Sequence, residues 1–298
     1  MNPRPSVGMV GIGAMGMPMA RRLHQLGYPV LVRDIRAAAE DEAGAAGMAV
    51  CTSPAAMSRC VDIVVLVVVN AAQIRDVLSG VDGLLSGTDG DAAQRRARAV
   101  MLCSTIAPQD AADFSSQLVM RGMACIDAPV SGGPARARDG SMSMMLAAPH
   151  ATLDEWSGLM TDMAGKRFVI SQAPGDGAKA KLINNMLAGT NLVAGAEALA
   201  LAQKLGLDGH LMFDVINASS GASWVFADRM KRALEADYEP RAAASILTKD
   251  VGLATAMARS VDHATPLADA ALVRFKATLA QGWADLDDAA VIKTWQGQ

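Results

Sequence analysis

The stretch VGMVGIGAMGMPMARRLHQLGYPVLVRD, residues 7–34, decides the fold of the first half of the chain. An apolar strand-like run leads into Gly11, Gly13 and Gly16 in the spacing GxGxxG, then into an amphipathic helix and a second strand-like run that ends at Asp34. In this context the first glycine permits a tight turn, the second lets a pyrophosphate approach the backbone, and the third lets helix and strand pack closely. The stretch therefore predicts a dinucleotide-binding βαβ unit.

Asp34 stands where the second strand ends, and this position indicates which dinucleotide is bound. A carboxylate there accepts hydrogen bonds from the adenosine ribose and repels a 2′-phosphate, which favours NAD over NADP. Arg33 and Arg36 flank it and could weaken that preference, but the favoured interpretation places both in solvent at the strand end. The cofactor-binding residues predicted in this unit are Gly11, Ile12, Gly13, Ala14, Met15, Gly16 and Asp34.

The pattern of the whole chain predicts an α/β protein with two domains. Up to about Ser171, β-branched runs alternate with helical stretches, as in parallel βαβ units, and predict a doubly wound sheet of about seven or eight strands. From Ala178 the strand-like runs stop and an Ala/Leu-rich stretch continues to Gly206, which predicts a long buried helix. The predicted architecture is an N-terminal Rossmann domain, residues 1–172, and an all-helical substrate and dimerisation domain, residues 173–298, with a long inter-domain helix. Four further helices are expected at 208–218, 224–234, 242–259 and 266–281.

Composition and charge argue against several classes of function. The chain has 298 residues, 51% of them apolar, and a formal net charge of −3, so we expect neither nucleic acid nor an anionic membrane as a partner. The longest apolar run, Ile63–Val69, is too short to span a bilayer. The first residues, MNPRPS, lead directly into a strand, which predicts no signal peptide and a cytoplasmic protein.

The sequence also lacks the spacings of several other kinds of site. Its four cysteines include no CxxC pair and its four histidines are scattered, so no metal site or disulfide framework is predicted. It contains no GxSxG turn that would expose a nucleophilic serine.

The segment GDGAKAKLINNM, residues 175–186, contains the candidate acid–base residue. On a helix, Lys179 and Lys181 point to nearly opposite sides, whereas Lys181 and Asn185 lie on one face with Asn184 beside them. A lysine in a cleft can move a hydroxyl proton when its pKa falls toward neutrality. The helical wheel alone leaves open whether this face is catalytic or solvated.

Taken together, the motifs resemble those of the β-hydroxyacid dehydrogenase family. The stretches that carry the resemblance are GIGAMG (11–16), CSTIAP (103–108), DAPVSGGPARARDGSMSMM (127–145), GDGAKAKLINN (175–185), LTKDVGLA (247–254) and WADLDDAAVIKTW (283–295). The order of these stretches over nearly the whole chain is far more specific than any one motif.

The resemblance implies roles for individual residues. Lys181 would be the general acid and base, Asn185 would orient substrate and lysine, and Asn184 would contact the substrate. The substrate carboxylate would be held by Ser131, Gly132 and Gly133. The cofactor would also contact Val69, Thr105 and Lys249.

The resemblance also implies a reaction: hydride transfer between a small hydroxy acid and NAD. The segment SSGASWVFADRM, residues 219–230, looks like that of the L-threonate branch, so L-threonate or a related sugar acid is favoured and 3-hydroxyisobutyrate comes next. For Trp224 in this segment, a pocket residue and a core aromatic remain equally open. A homodimer or homotetramer is expected.

Other functions remain as alternatives. One is a semialdehyde reductase of the tartronate or succinic type that uses NADPH. A non-enzymatic alternative is a dinucleotide-binding scaffold, which the retention of Lys181 disfavours, since the scaffold-type and imine reductase relatives lack this lysine.

Overall fold

The computed structural model describes residues 4–86 and 95–296. The chain divides into two compact units, Met1–Lys181 and Leu182–Gln298. Among the described residues the first unit contains one nine-stranded sheet. Its strands are β1 Val7–Val10, β2 Val30–Arg33, β3 Ala49–Val50, β4 Ile63–Leu66, β5 Ala99–Leu102, β6 Ala124–Asp127, β7 Val130–Ser131, β8 Ser143–Ala147 and β9 Lys166–Ser171. The predicted boundary between residues 172 and 173 stays a prediction.

The sheet is a parallel doubly wound sheet with an antiparallel extension. Its strand order is β3-β2-β1-β4-β5-β6-β8-β7, with β9 on β8. The first six strands pair in parallel, and β8 runs antiparallel to β6 and β7. The order reverses beside β1, and in open α/β sheets ligands bind at such a switch point. The predicted fold class is confirmed, while β3 and β7 were missed because two residues carry no periodic pattern.

The central strands are buried on both faces, as their β-branched runs predict. In β4, Ile63 and Val65 belong to one hydrophobic core and Val64 and Leu66 to the core on the other face. The strand ends at Leu66, three residues before the end of the apolar run, and Val69 is 47% exposed.

Helices connect the strands of the first unit. They are α1 Gly16–Gln25, α2 Ala37–Ala45, α3 Pro54–Cys60, α4 Ala71–Ser79, α5 Pro108–Met120, α6 Gly133–Asp139, α7 His150–Glu155 and α8 Ser157–Met163. Side chains cap some of them locally: the Ser53 hydroxyl and the Asn70 amide oxygen accept the first free N–H groups of α3 and α4.

The long helix predicted after residue 178 is α9, Asp176–Lys204, and it continues from the first unit into the second. The second unit is helical in its described residues. Its elements are α10 Gly209–Asn217, α11 Trp224–Leu234, α12 Ala244–Arg259, α13 Pro266–Ala280, a 3₁₀ turn at Asp288–Ile292 and α14 Lys293–Gln296. The prediction that α9 is buried is wrong for one side, because Ile183, Leu187 and Leu201 are each more than half exposed.

Two structural features are absent from residues 4–86 and 95–296. No helix there is both long enough and apolar enough to cross a membrane. No three His, Cys, Asp or Glu side chains there lie close enough together to hold a metal ion.

A buried network of ion pairs connects Asp287 and Asp288, at the start of the 3₁₀ turn, to α11. Arg229 Nε lies 2.7 Å from Asp288 Oδ1, and Arg232 Nη2 lies 3.0 Å from Asp287 Oδ1. The second oxygen of Asp287 accepts the backbone N–H of Arg241 at 2.9 Å. These contacts account for Asp287 and Asp288 of the motif WADLDDAAVIKTW: both pair with arginines of α11, and Asp287 also holds the backbone at Arg241.

Asp288 makes the stability of the protein depend on pH. Burial is the largest influence and raises the pKa of Asp288 from 3.8 to about 7, against the lowering effect of Arg229. Because the folded state binds this proton more tightly than the unfolded chain, the contribution of Asp288 to stability is present below about pH 4 and is lost as the pH rises through about 7. We therefore expect Asp288→Asn to reduce the fall in unfolding free energy between pH 5 and pH 8, measured by urea denaturation. The exposed neighbour Asp285, changed to Asn, is the control; an unchanged slope in Asp288→Asn would contradict the prediction.

Candidate active site

The glycine-rich turn leads from β1 into α1, and its glycines meet different surroundings. Gly11 has a φ of +86°, and a Cβ there would lie 2.7 Å from the carbonyl oxygen of Val67. A Cβ on Gly16 would lie 1.9 Å from the carbonyl oxygen of Gly11. At Gly13 the nearest atom to such a Cβ is Nη2 of Arg36, at 3.6 Å. Gly11 and Gly16 are therefore required by the fold itself, whereas Gly13 leaves the space that a pyrophosphate needs.

Asp34 is buried beside this turn. Its Oδ2 accepts the backbone N–H of Ile12 at 2.8 Å, and its Oδ1 accepts the backbone N–H and Nε of Arg36. Burial alone would raise the pKa of Asp34, but the hydrogen bonds from Arg36 and Ile12 outweigh it, and the pKa lies below its usual value. Asp34 is thus a carboxylate at neutral pH, held at the turn as the motif predicts.

Both arginines that flank Asp34 are paired with carboxylates. Arg33 Nη1 lies 2.7 Å from Glu40 Oε1, and the same oxygen accepts the backbone N–H of Asp34. Arg36 Nε lies 3.1 Å from Asp34 Oδ1, with its side chain mostly exposed. Arg36 is exposed and Arg33 is partly exposed at the strand end, which agrees with the favoured interpretation of solvent-facing side chains, and both charges are partly neutralised by these carboxylates. The dinucleotide fits this set of residues, because the cradle at Gly13 is open and the carboxylate at Asp34 is present.

Other predicted residues of the first unit lie on loops at the carboxyl ends of strands. Val69 follows β4, and its backbone N–H is hydrogen-bonded to Oε1 of Gln73. Thr105 follows β5 and is half-buried. Both positions suit the ligand-binding edge of a parallel sheet, and their contacts with a cofactor stay predictions.

The predicted carboxylate-binding turn begins in β7 and enters α6. Ser131 pairs with Ser143 of β8, and Gly132 and Gly133 have φ values of +136° and +74°. A Cβ on Gly132 would collide with Arg136, whereas one on Gly133 would meet no atom within 4 Å. The turn therefore requires glycine for its backbone conformation, and Gly133 leaves open space beside it.

The two lysines near the start of α9 have opposite environments, as the helical wheel predicts. Lys179 is exposed and its Nζ lies 2.6 Å from Oδ1 of Asp176. Lys181 is only 7% exposed. Asn185, one turn later, is also buried, while Asn184 is exposed. Lys181 therefore does not lie on a solvated face, a question that the helical wheel alone left open.

A hydrogen-bonded chain of side chains fixes Asn185 within the second unit. Nδ2 of Asn184 donates to Oδ1 of Asn185 at 3.0 Å, and Nδ2 of Asn185 donates to Oδ2 of Asp250 at 2.7 Å. The other oxygen of Asp250 lies 2.7 Å from Nζ of Lys249. Lys249 and Asp250 lie on α12, so the buried carboxylate joins two residues that the sequence assigned to substrate and to cofactor. Lys249 and Asp250 are therefore not an exposed charge pair on the surface of the helix.

Sequence reasoning missed Asp127 and Asp250. Both aspartates lie in quoted motifs, DAPVSGG and LTKDVGLA, and both are nearly fully buried. The signal that could have found Asp127 is a carboxylate at the end of the apolar strand run MACID. Trp224 is 53% exposed at the start of α11, which rules out the core aromatic and leaves its role in a pocket a prediction.

Comparison with known proteins identifies the family. Residues 6–171 match the model of the NAD binding domain of 6-phosphogluconate dehydrogenase. Residues 175–295 match the model described as NAD-binding of NADP-dependent 3-hydroxyisobutyrate dehydrogenase. A protein of Cupriavidus necator named L-threonate dehydrogenase is 37% identical over 98% of this chain and 96% of its own length.

Solved structures give the same result. A crystal structure of a 3-hydroxyisobutyrate dehydrogenase from Salmonella typhimurium is 36% identical and covers 97% of this chain and 99% of its own, with a TM-score of 0.87. An imine reductase from Pseudomonas sp. is 17% identical with a TM-score of 0.64 over 97% of this chain and 99% of its own, and shares the fold alone. The chain therefore belongs to the β-hydroxyacid dehydrogenase family and is an NAD-binding oxidoreductase that acts on hydroxyl groups.

Proposed function

We propose that the chain oxidises a small hydroxy acid with NAD, that L-threonate or a related sugar acid is its substrate, and that Lys181 moves the hydroxyl proton. The observation that carries this proposal is the buried face of α9, on which Lys181 precedes Asn185 by one turn. The amide of Asn185 is held by Asp250 at 2.7 Å, so its orientation is set before any substrate binds.

The reaction requires a proton acceptor, and Lys181 is suited to that task. A dinucleotide held by the turn of residues 11–16 and by Asp34 would supply the hydride acceptor for this oxidation. The hydroxyl proton passes to the neutral Nζ of Lys181, and in the reverse direction the protonated amine returns it to the carbonyl oxygen. The Asn185 amide orients the reacting oxygen toward the lysine, since an amide can both donate and accept hydrogen bonds.

The remaining predicted residues bind rather than react. The Ser131 hydroxyl and the backbone N–H groups of Gly132 and Gly133 are donors suited to a carboxylate. The turn of residues 11–16 and Asp34 hold the dinucleotide, and the carboxylate of Asp34 favours NAD, since it would repel a 2′-phosphate. Lys249 is proposed to contact the cofactor.

The choice of substrate draws on the relatives. Proteins named L-threonate dehydrogenase from Cupriavidus necator and Escherichia coli are 37% and 36% identical to this chain. The structure named 3-hydroxyisobutyrate dehydrogenase is also 36% identical, and a Pseudomonas aeruginosa protein named NAD-dependent L-serine dehydrogenase is 31% identical. These names favour a small acid with a hydroxyl group near the carboxylate, with 3-hydroxyisobutyrate as the second candidate.

A substrate panel tests the proposal. Formation of NADH or NADPH would be followed with L-threonate, 3-hydroxyisobutyrate, L-serine and glycerate, each with NAD and with NADP. We expect the highest kcat/KM for L-threonate with NAD. The preference for NAD over NADP is expected because the carboxylate of Asp34 would repel the 2′-phosphate of NADP. A clear preference for NADP, or turnover of 3-hydroxyisobutyrate without turnover of L-threonate, would contradict the corresponding part of the proposal.

A further inference from the structure

Asp127 is a buried carboxylate that the proposed reaction does not use. It is the last residue of β6, is 2% exposed, and pairs in register with Leu102 of β5 and Ala147 of β8. A charged side chain in such a place is costly unless its oxygens find donors. The donors come from the start of α9.

One oxygen of Asp127 accepts hydrogen bonds from backbone N–H groups at the start of α9. Oδ2 accepts the N–H of Gly175 at 2.7 Å and that of Ala178 at 3.1 Å. The first N–H groups of a helix have no partner within the helix and carry partial positive charge, so a carboxylate both satisfies them and is stabilised by them.

The glycines of the motif GDGAK make this approach possible. A Cβ on Gly177 would lie 2.9 Å from Oδ2 of Asp127 and 2.9 Å from the carbonyl oxygen of Met145 on β8. Gly175 has a φ of +107°, and a Cβ there would lie 2.9 Å from the carbonyl oxygen of Pro108. Side chains at either position would push the helix start away from the sheet.

A second carboxylate at the same helix start behaves differently. Asp176 pairs with the exposed Lys179 and is itself partly exposed. The helix start thus has two acidic side chains, of which Asp127 comes from 48 residues earlier in the chain and belongs to the sheet. A cap from the helix's own sequence only satisfies its first N–H groups. A cap supplied by a strand also fixes where the helix lies on the sheet.

The position of Asp127 connects two parts of the proposed site. Lys181 follows Ala178 by three residues, about 4.5 Å along the helix axis. On the other side, β6 leads within four residues into the turn of Ser131–Gly133. We propose that Asp127 is a positioning residue that ties the start of α9 to the end of β6 and so sets the separation between Lys181 and this turn. The inference rests on the proposed function, in which Lys181 moves the proton and the turn holds the carboxylate.

The test compares kcat, with L-threonate and NAD as substrates, and NADH affinity in matched variants. We expect Asp127→Ala to lower kcat about 10- to 100-fold, the size of loss that a misplacement of about 1 Å produces, while NADH affinity stays unchanged. Asp127→Asn keeps one oxygen acceptor and should recover most of the lost kcat. Asp176→Asn removes the neighbouring carboxylate and should leave kcat unchanged.

A double-mutant cycle separates positioning from a general loss of structure. If Asp127 acts through Lys181, Asp127→Ala causes no further loss of kcat in a Lys181→Ala background, because interacting residues are not additive. An equal fold-loss in both backgrounds, or full kcat in Asp127→Ala, overturns the inference. Should Asp127→Ala fail to fold, Gly177→Ala keeps the carboxylate, displaces the helix start and must show the same dependence on Lys181.

The outcomes also separate this inference from the function on which it rests. Full turnover in Lys181→Ala refutes the proposed acid–base residue, whatever Asp127 does. Loss of turnover in Lys181→Ala together with full turnover in Asp127→Ala refutes only the positioning role.

Discussion

Replacing Lys181 with Ala should strongly lower kcat for the hydroxy acid without abolishing it, while NADH still binds. The buried amine is the proposed acceptor of the hydroxyl proton, and loss of a general acid–base group costs about 10²- to 10⁴-fold in rate. In the proposed function NADH is held by the turn at residues 11–16 and by Asp34, which this change does not touch. Steady-state kinetics and NADH fluorescence titration measure the two effects separately.

The matched control is Lys179→Ala, two residues earlier on the same helix. Lys179 is 57% exposed and pairs with Asp176, so its loss should leave turnover nearly unchanged. Full activity in Lys181→Ala, or equal losses in the two variants, would refute the assignment of the proton to Lys181.

Gly13→Ala should raise the dissociation constant of NADH about tenfold or more without lowering the melting temperature. A Cβ at this position meets no protein atom closer than 3.6 Å, so the fold accepts it. The same methyl group would occupy space that the pyrophosphate needs for its approach to the backbone. Isothermal titration and thermal denaturation of the variant measure both quantities.

Gly16→Ala is the contrasting variant. Its Cβ would lie 1.9 Å from the carbonyl oxygen of Gly11, so helix α1 must move and the melting temperature should fall. If Gly13→Ala bound NADH normally, or lost stability as Gly16→Ala should, the proposed role of Gly13 would be wrong.

The parallel sheet, the glycine turn and helices α9 to α13 could be predicted because their signals are local. The β-branched run at Ile63–Leu66 predicts a buried strand, and the GxGxxG spacing predicts a dinucleotide-binding turn. Each pattern is complete within a few residues. The helix predicted at 224–234 matches α11 residue for residue. The two-residue strands β3 and β7 could not be predicted, since their pairing depends on neighbours far along the chain.

Within the site, the sequence put the two lysines on opposite sides of the helix but indicated neither which one is buried nor what holds the residues around it. The helical period separated Lys181 from Lys179. Asp127 and Asp250 escaped because their partners lie 48 and 65 residues away, and no periodic pattern records such contacts. Long-range capping and carboxylate bridges are therefore the part of the site that only a structure reveals.

The carboxylate of Asp250 has a thermodynamic consequence. One of its oxygens accepts from Asn185 and the other is paired with Lys249. A ligand that draws Lys249 away from Asp250 removes a cation from this carboxylate and changes the strength of its hydrogen bond to the Asn185 amide. Any such change links the affinity for one ligand to occupancy by the other, and linkage is reciprocal: the acid must then alter the affinity for the dinucleotide by the same factor.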